Sequence, residues 1–270
     1  MMKNIKKLIA KNKMTLVFIT LLGSSQYASA IAPQRESLPI VIGTNLEFPT
    51  GDCTAGLIVK KTGVFNNITP YKQAVRYIVT AAHCGRTGDD VRVNGNIIGK
   101  YIWRSQESDL GLVQVEPYAQ RHTVCTAPST GPVCSIGVTY NPRAINKVLI
   151  ASQRTRSEQA VPFSGTGSPA DREVFCTSGA VTGILCTWGK SPLPPGWQVA
   201  RQPNYHHAET FGRNVEHGDS GGPVMSFAGK IYGIISTRGT YTGDTPNSLT
   251  YYSTDQFFAE QPGYAFAPTH

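Results

Sequence analysis

The sequence has no apolar run long enough to cross a bilayer, no Cys-x-x-Cys pair, no internal repeat and no long segment with the 3.6-residue period of an amphipathic helix. A spanning helix needs about twenty apolar residues, and the longest run here, MTLVFITLLG, has ten. Without a Cys-x-x-Cys pair, metal ligation loses its commonest sequence support, and no metal or organic cofactor is expected. Excess charge is also scarcer than the formal +8 suggests. Five lysines fall in the first thirteen residues, and beyond Ala30 there remain 20 Lys and Arg against 17 Asp and Glu, a net charge of +3. Nucleic acid is therefore not an expected partner.

What is present begins with a leader. Residues 1–30 combine the lysines, the ten-residue apolar run and the small-residue ending YASA, the layout of a secretory signal peptide cut after Ala30. The mature chain is expected to be exported, extracellular or periplasmic, without a membrane span. All six cysteines lie beyond the cut, an even count that reads as three disulfides; spacing alone leaves fifteen pairings open.

Short apolar or alternating stretches follow one another between Gly, Pro, Asn and Asp: AGLIVKK, AVRYIVTAA, DVRVNGNIIGKYIW, DLGLVQV, KVLIASQ, VTGILCTW, GGPVMSF and KIYGIIST. β-branched and aromatic residues dominate them, which predicts antiparallel strands and an all-β chain. VNGN at 93–96 reads as a hairpin turn and SPLPPG at 191–196 as an exposed loop. Ser253 with Gln256 three residues on forms a capping box for one late helix. The Pro-, Ser- and Thr-rich stretch 126–142 divides the chain into a first unit at 40–125 and a second at 143–270, with 31–39 as a short tail or propeptide.

Three residue types needed for nucleophilic catalysis sit at strand boundaries. TAAHC places His83 at the end of an apolar run, SDLGLVQV places Asp109 just before a strand, and HGDSGGPV places Ser220 in a glycine-rich turn. Taken singly, each has a bland reading as a structural histidine, a capping aspartate or a turn serine. Together they are a set: serine is a weak nucleophile until a base takes its proton, and the base is held in one tautomer by a carboxylate.

TAAHC, DLGLV, GDSGGP and the downstream YGIIS, in that order, resemble the chymotrypsin-like serine peptidases over about residues 40–258, and most of all their secreted bacterial, streptogrisin-like branch. The resemblance implies two antiparallel six-stranded β-barrels with a short C-terminal helix, a monomer acting on protein or peptide substrates in the cleft between them. It implies His83 as general base and then acid, Asp109 as its orienter, Ser220 as nucleophile, and the N–H groups of Gly218 and Ser220 as an oxyanion hole. Asp219 would hold that loop through a buried ion pair, and Ser236 would hydrogen-bond Asp109. VFCTSGAVTGILCTWG matches a cysteine-bounded hairpin of the branch, implying Cys176 with Cys186; Cys53 with Cys84 matches the family's bond beside the histidine, which leaves Cys125 with Cys134.

The sequence also departs from that pattern. Ile40 follows a proline, so a tryptic cut before it is excluded, and only nine residues separate it from Ala30. Thr177 stands where the branch carries an arginine for Asp219, leaving Arg172 and a free N-terminus as candidate partners. Glu216, four residues before Ser220, removes the disulfide many relatives place across the specificity pocket. Asn214 stands near the pocket floor where trypsin-like members carry aspartate, so Arg or Lys at P1 is disfavoured. Thr237 and Arg238 belong to the pocket wall, Thr250 to its back and His217 to its rim; Arg238 favours an acidic or small polar P1 or simply narrows the pocket.

Other signals carry less. The adjacent His206 and His207 have no metal-ligand spacing, the NIT sequon at 67–69 sits behind a bacterial-type leader, and His122 and His270 support no argument. GDSGG also satisfies G-x-S-x-G, but an α/β-hydrolase elbow needs a helix after the serine, which Pro223 opposes, and a downstream base, for which only His270 remains. The alternative from another class is a non-catalytic secreted binding module on a peptidase scaffold.

Overall fold

The computed structural model describes residues 31–126, 131, 133–152, 154, 157–194, 204–239 and 245–270. The leader, its cut and the second part of the SPLPPG loop lie outside these residues. No helix among them is long and apolar enough to cross a membrane.

The first half is built on an antiparallel sheet whose inner strands are Leu57–Lys61, Arg76–Ala81, Leu110–Val115 and Asn96–Arg104. Arg76–Ala81 is buried at every position and Leu110–Val115 at all but one. Such strands read as continuous apolar runs rather than as alternation because both faces are covered. Asn94 and Gly95 adopt φ of 48° and 72° between Asp90–Val93 and Asn96–Arg104, so the hairpin read in VNGN forms with the left-handed pair that a two-residue turn requires.

The second half closes a six-stranded barrel from Val174–Gly179, Gly183–Lys190, Tyr205–Thr210, Ser248–Ser253, Ile231–Arg238 and Pro223–Met225. Its core centres on Phe175, Trp188, Tyr232 and Tyr251. Trp188 is fully buried and its Nε1 donates to Thr177 Oγ1 at 3.0 Å. Burying one such ring contributes about 2–3 kcal/mol, and the bond satisfies its polar edge.

Where six strands were expected, the first half carries eight, in the order Tyr264–Phe266, Leu57–Lys61, Arg76–Ala81, Leu110–Val115, Asn96–Arg104, Asp90–Val93, Asn45–Phe48, Gly51–Thr54. One of the two additional strands comes from the chain's end, since Tyr264–Phe266 returns to pair with Leu57–Lys61. The chain's start does the reverse. Ile40–Ile42 pairs in parallel with Ala144–Ala151, which also pairs with Glu158–Pro162. Each half is thus laced to the other by a terminal segment, and the larger apolar core joins them, combining Ile78, Val79 and Leu112 with Val148, Ile234 and Tyr252.

Two connections differ from the sequence reading. The stretch 126–142 is mostly strand: Val133–Asn141 pairs with Tyr118–Thr126 as an exposed two-stranded ribbon, bridged near its tip by Cys125–Cys134. Thr126, Ser135 and Thr139 are extended ribbon positions facing solvent, which composition alone cannot separate from loop. A short helix, Pro70–Ala74, was also missed; Thr69 caps it, its side chain accepting from Lys72 N. The late helix forms at Thr254–Glu260, with Ser253 accepting from Gln256 N. The three disulfides are Cys53–Cys84, Cys125–Cys134 and Cys176–Cys186.

Candidate active site

Strand register brings the first two residues together. Ala81 pairs with Leu110, so each chain's next step beyond the pair puts His83 and Asp109 on neighbouring turns. Ala82 N donates to Asp109 O at 3.0 Å, and the Tyr101 hydroxyl donates to Ala82 O at 3.2 Å, fixing the turn from behind. Asp109 Oδ1 accepts from His83 N at 3.0 Å, while Oδ2 lies 2.7 Å from His83 Nδ1 and accepts from Ser236 Oγ at 2.7 Å.

Asp109 is 8% exposed, whereas the His83 side chain is 46% exposed. Burial pushes the imidazole pKa down, but the hydrogen bond and negative charge of Asp109 outweigh it, and the net shift is upward from the ordinary histidine value. With Nδ1 engaged by the carboxylate, Nε2 is the nitrogen left for other chemistry.

The serine turn comes from the second half and is fastened to the first through Thr54. Thr54 N donates to Ser220 O at 2.8 Å, its Oγ1 donates to Gly218 O at 2.7 Å, and the same oxygen accepts from Ala180 N at 2.9 Å. The adjacent Cys53 is bonded to Cys84, the residue after His83. One strand, Gly51–Thr54, therefore holds both the histidine turn and the serine turn. Nothing in the sequence marks Thr54 beyond its place beside a cysteine.

Gly218 has φ of +98°, a left-handed conformation that other residues rarely adopt, and a Cβ there would stand 2.5 Å from Val181 Cγ2. Within the turn, Asp219 N, Gly221 N and Gly222 N all donate to backbone carbonyls. Among the described residues the N–H groups of Gly218 and Ser220 have no such acceptor.

Asp219 is fully buried, and no ion pair forms there among the described residues. Its Oδ1 accepts from Val181 N and Thr182 N at 2.9 and 3.0 Å, and its Oδ2 from Thr182 Oγ1 and Glu216 N at 2.7 and 2.8 Å. The expected buried ion pair is thus replaced by four neutral donors, which disperse a carboxylate's charge without a second desolvated ion. Arg172 is exposed rather than paired to it. The signal for this arrangement was the Thr-Gly of the cysteine-bounded hairpin, where Thr182 supplies two of the four donors.

His83, Gly218 and Ser220 line one cleft of about 460 Å³ together with Thr50, Gly51, Asp52, Val181 and His217. Of the five residues assigned to a specificity pocket, His217 alone borders this cleft. Asn214 is half-buried, its Nδ2 donating to Pro246 O and Ser248 O while its Oδ1 accepts from Val215 N. Arg238 Nη1 reaches Val215 O at 3.5 Å, Thr237 is exposed, and Thr250 is fully buried. The sulfurs of Cys53 and Cys84 lie near the His83 ring but are joined to each other, so the grouping offers no metal ligands. His206 stacks on Tyr251 with ring centroids 5.2 Å apart, a packing role.

A search of curated proteins finds none that matches this chain. Among solved structures, protease A from Thermobifida fusca is similar at 19% identity over 86% of this chain and 99% of that one, with a TM-score of 0.55. A Nocardiopsis protease aligns at 18% identity over 84% and 98%, with a TM-score of 0.57. A Cellulomonas bogoriensis chymotrypsin aligns at 17% identity over 86% and 99%, with a TM-score of 0.53. Likeness at such identities speaks for the fold, which is chymotrypsin-like. The family model described as trypsin matches residues 72–257, more than half of the sequence and the whole span from the histidine strand to the late helix, and the chain belongs to that family of serine endopeptidases.

Proposed function

We propose that this is a secreted endopeptidase in which His83, Asp109 and Ser220 form the catalytic triad. The observation that carries this reading is that a buried Asp109 holds His83 through Nδ1 while the same ring and Ser220 border one cleft. Ser220 Oγ attacks the scissile carbonyl as His83 Nε2 removes its proton. The N–H groups of Gly218 and Ser220 receive the oxyanion, and His83 then protonates the leaving amine. Water repeats the sequence on the acyl-enzyme. Asp219 fixes the turn that aims the two N–H groups, and Ser236 holds Asp109 from behind.

For P1, Asn214 supplies no carboxylate, and its amide is tied to backbone carbonyls, which opposes Arg and Lys. Arg238, drawn toward Val215 O, supports an acidic or small polar P1. Export rests on the leader 1–30 and on three disulfides, which persist in oxidising surroundings. The division into units 40–125 and 143–270 about 126–142 belongs to the same proposal.

A fluorophosphonate probe tests it. The mature protein should label, and Ser220→Ala and His83→Ala should each abolish labelling. A folded native protein that ignores the probe would favour the binding-module alternative. Peptides with Glu, Phe or Arg at P1 then rank the pocket, and best turnover on Arg would overturn the P1 assignment.

A further inference from the structure

Arg35 is fully buried, yet it belongs to the nine residues before Ile40 that the sequence presents as a tail. Its guanidinium is enclosed by four hydrogen bonds. Nε and Nη2 grip Glu158 Oε2 and Oε1 at 2.8 and 2.6 Å, Nη2 also donates to Ser178 Oγ at 3.0 Å, and Nη1 donates to Gly43 O at 2.8 Å. A two-pronged pair of this kind fixes orientation as well as charge. Removing Glu158 would leave the Arg35 charge buried and uncompensated.

The location matters as much as the bonding. Ser178 immediately precedes Gly179, and Gly179 pairs with Gly183 across the hairpin turn that holds Asp219. Glu158 Oε1 lies 3.1 Å from where a Cβ on Gly183 would stand, and the Asp219 carboxylate packs so close to Gly179 that a Cβ there would meet Oδ1 at 2.1 Å. Arg35 and Glu158 therefore bracket both ends of the turn whose Val181 and Thr182 bind Asp219, and Asp219 sits between Gly218 and Ser220.

We propose that Arg35 is a positioning residue of the peptidase site, and that Pro33–Glu36 stays attached in the active enzyme. The chain then begins ahead of Arg35 rather than at Ile40. This rests on reading Ser220 as the nucleophile. Two further observations point the same way: Ile40 N is engaged in the sheet, donating to Arg143 O at 2.7 Å, and Asp219 already accepts from four donors, leaving a new α-amino group at Ile40 no acceptor there. In this arrangement the cation that steadies the aspartate loop acts from behind the turn, through Ser178 and Glu158.

The experiment starts with the full-length protein after export. The fluorophosphonate-labelled species is isolated and its N-terminus sequenced. A start at or before Arg35 supports the proposal, and a labelled species starting at Ile40 overturns it. Absence of labelling at Ser220 defeats the peptidase reading itself and is seen before any variant is made. Next, Arg35→Ala should lower kcat about 100-fold, leave KM within about twofold and keep the acid limb of the pH profile in place, since His83 and Asp109 are untouched. Added ethylguanidinium should restore much of the lost kcat, and Arg35→Lys should fall between. Arg35→Lys, which keeps the buried positive charge and loses the two-pronged pair, is the milder variant if Arg35→Ala does not fold, with about a tenfold loss in kcat expected. Wild-type kcat in folded Arg35→Ala or in Arg35→Lys overturns the proposal. So does a guanidinium that restores the melting temperature without restoring kcat.

Discussion

Two buried aspartates lie within the same site and do different work. Asp109 accepts from the His83 backbone, the His83 ring and Ser236; Asp219 accepts from Val181, Thr182 twice and Glu216. One of Asp109's partners is an imidazole that can carry a proton, whereas Asp219's partners are backbone N–H groups and a hydroxyl. The same side chain therefore sets a pKa and a tautomer in one place and a backbone shape in the other. What separates them is whether a proton carrier sits among the donors.

The largest expected effect comes from removing the charge that faces the histidine. Asp109→Asn should fold and lose about 10⁴-fold in kcat/KM, because the amide favours the wrong imidazole tautomer. The pH profile sharpens the point. Under the proposed triad His83 must be neutral to act as base, so kcat/KM should rise with pH through a His83 pKa above the ordinary value. In Asp109→Asn the raising influence is gone while burial remains, and the acid limb should move to lower pH. A limb that stays in place would break the contrast between the two aspartates.

Asp219→Asn should act through geometry instead. The new NH₂ would face Glu216 N, donor against donor, and the Thr182 hydroxyl would have to turn to accept. Loss of about 10²–10³-fold in kcat is expected, the size associated with a misplaced oxyanion donor. Denaturant unfolding should show a stability loss of about 3 kcal/mol from the groups left unpaired. The acid limb should not shift, and a shift would mean that Asp219 communicates with His83 after all.

Smaller changes grade the comparison. Ser236→Ala removes one of three donors to Asp109 and should cost about tenfold in kcat/KM, with the fold intact. Thr182→Val keeps the backbone N–H to Asp219 and deletes only the hydroxyl, so about 1–2 kcal/mol of stability and a severalfold fall in kcat are expected by unfolding and steady-state kinetics.

How much of this could be read beforehand depended on distance along the chain. The Asn94-Gly95 turn and the Ser253 cap are local: the residues that make each structure are within three positions of one another. His83, Asp109 and Ser220 are far apart, but each stands in a short punctuated motif, so they could be assembled from pattern. Arg35 and Glu158 stand 123 positions apart with no motif around either. Thr182 and Asp219 are separated by 37, and Thr54 reaches Gly218 across 164. The ribbon strands Tyr118–Thr126 and Val133–Asn141 escape the sequence for another reason: their residues mostly face solvent and lack the half-buried alternation that marks a strand.

By itself the sequence determined the all-β character, the turns and the three chemically distinctive side chains, because strand propensity, left-handed turns and catalytic motifs are written over a few adjacent residues. Only the tertiary structure decided that Asp219 has four neutral donors, that the segment before Ile40 buries an arginine behind the serine turn, and that each chain end is laced into the opposite half. Those features depend on which strands become neighbours, and a buried charge finds its partners only after the core has closed around it.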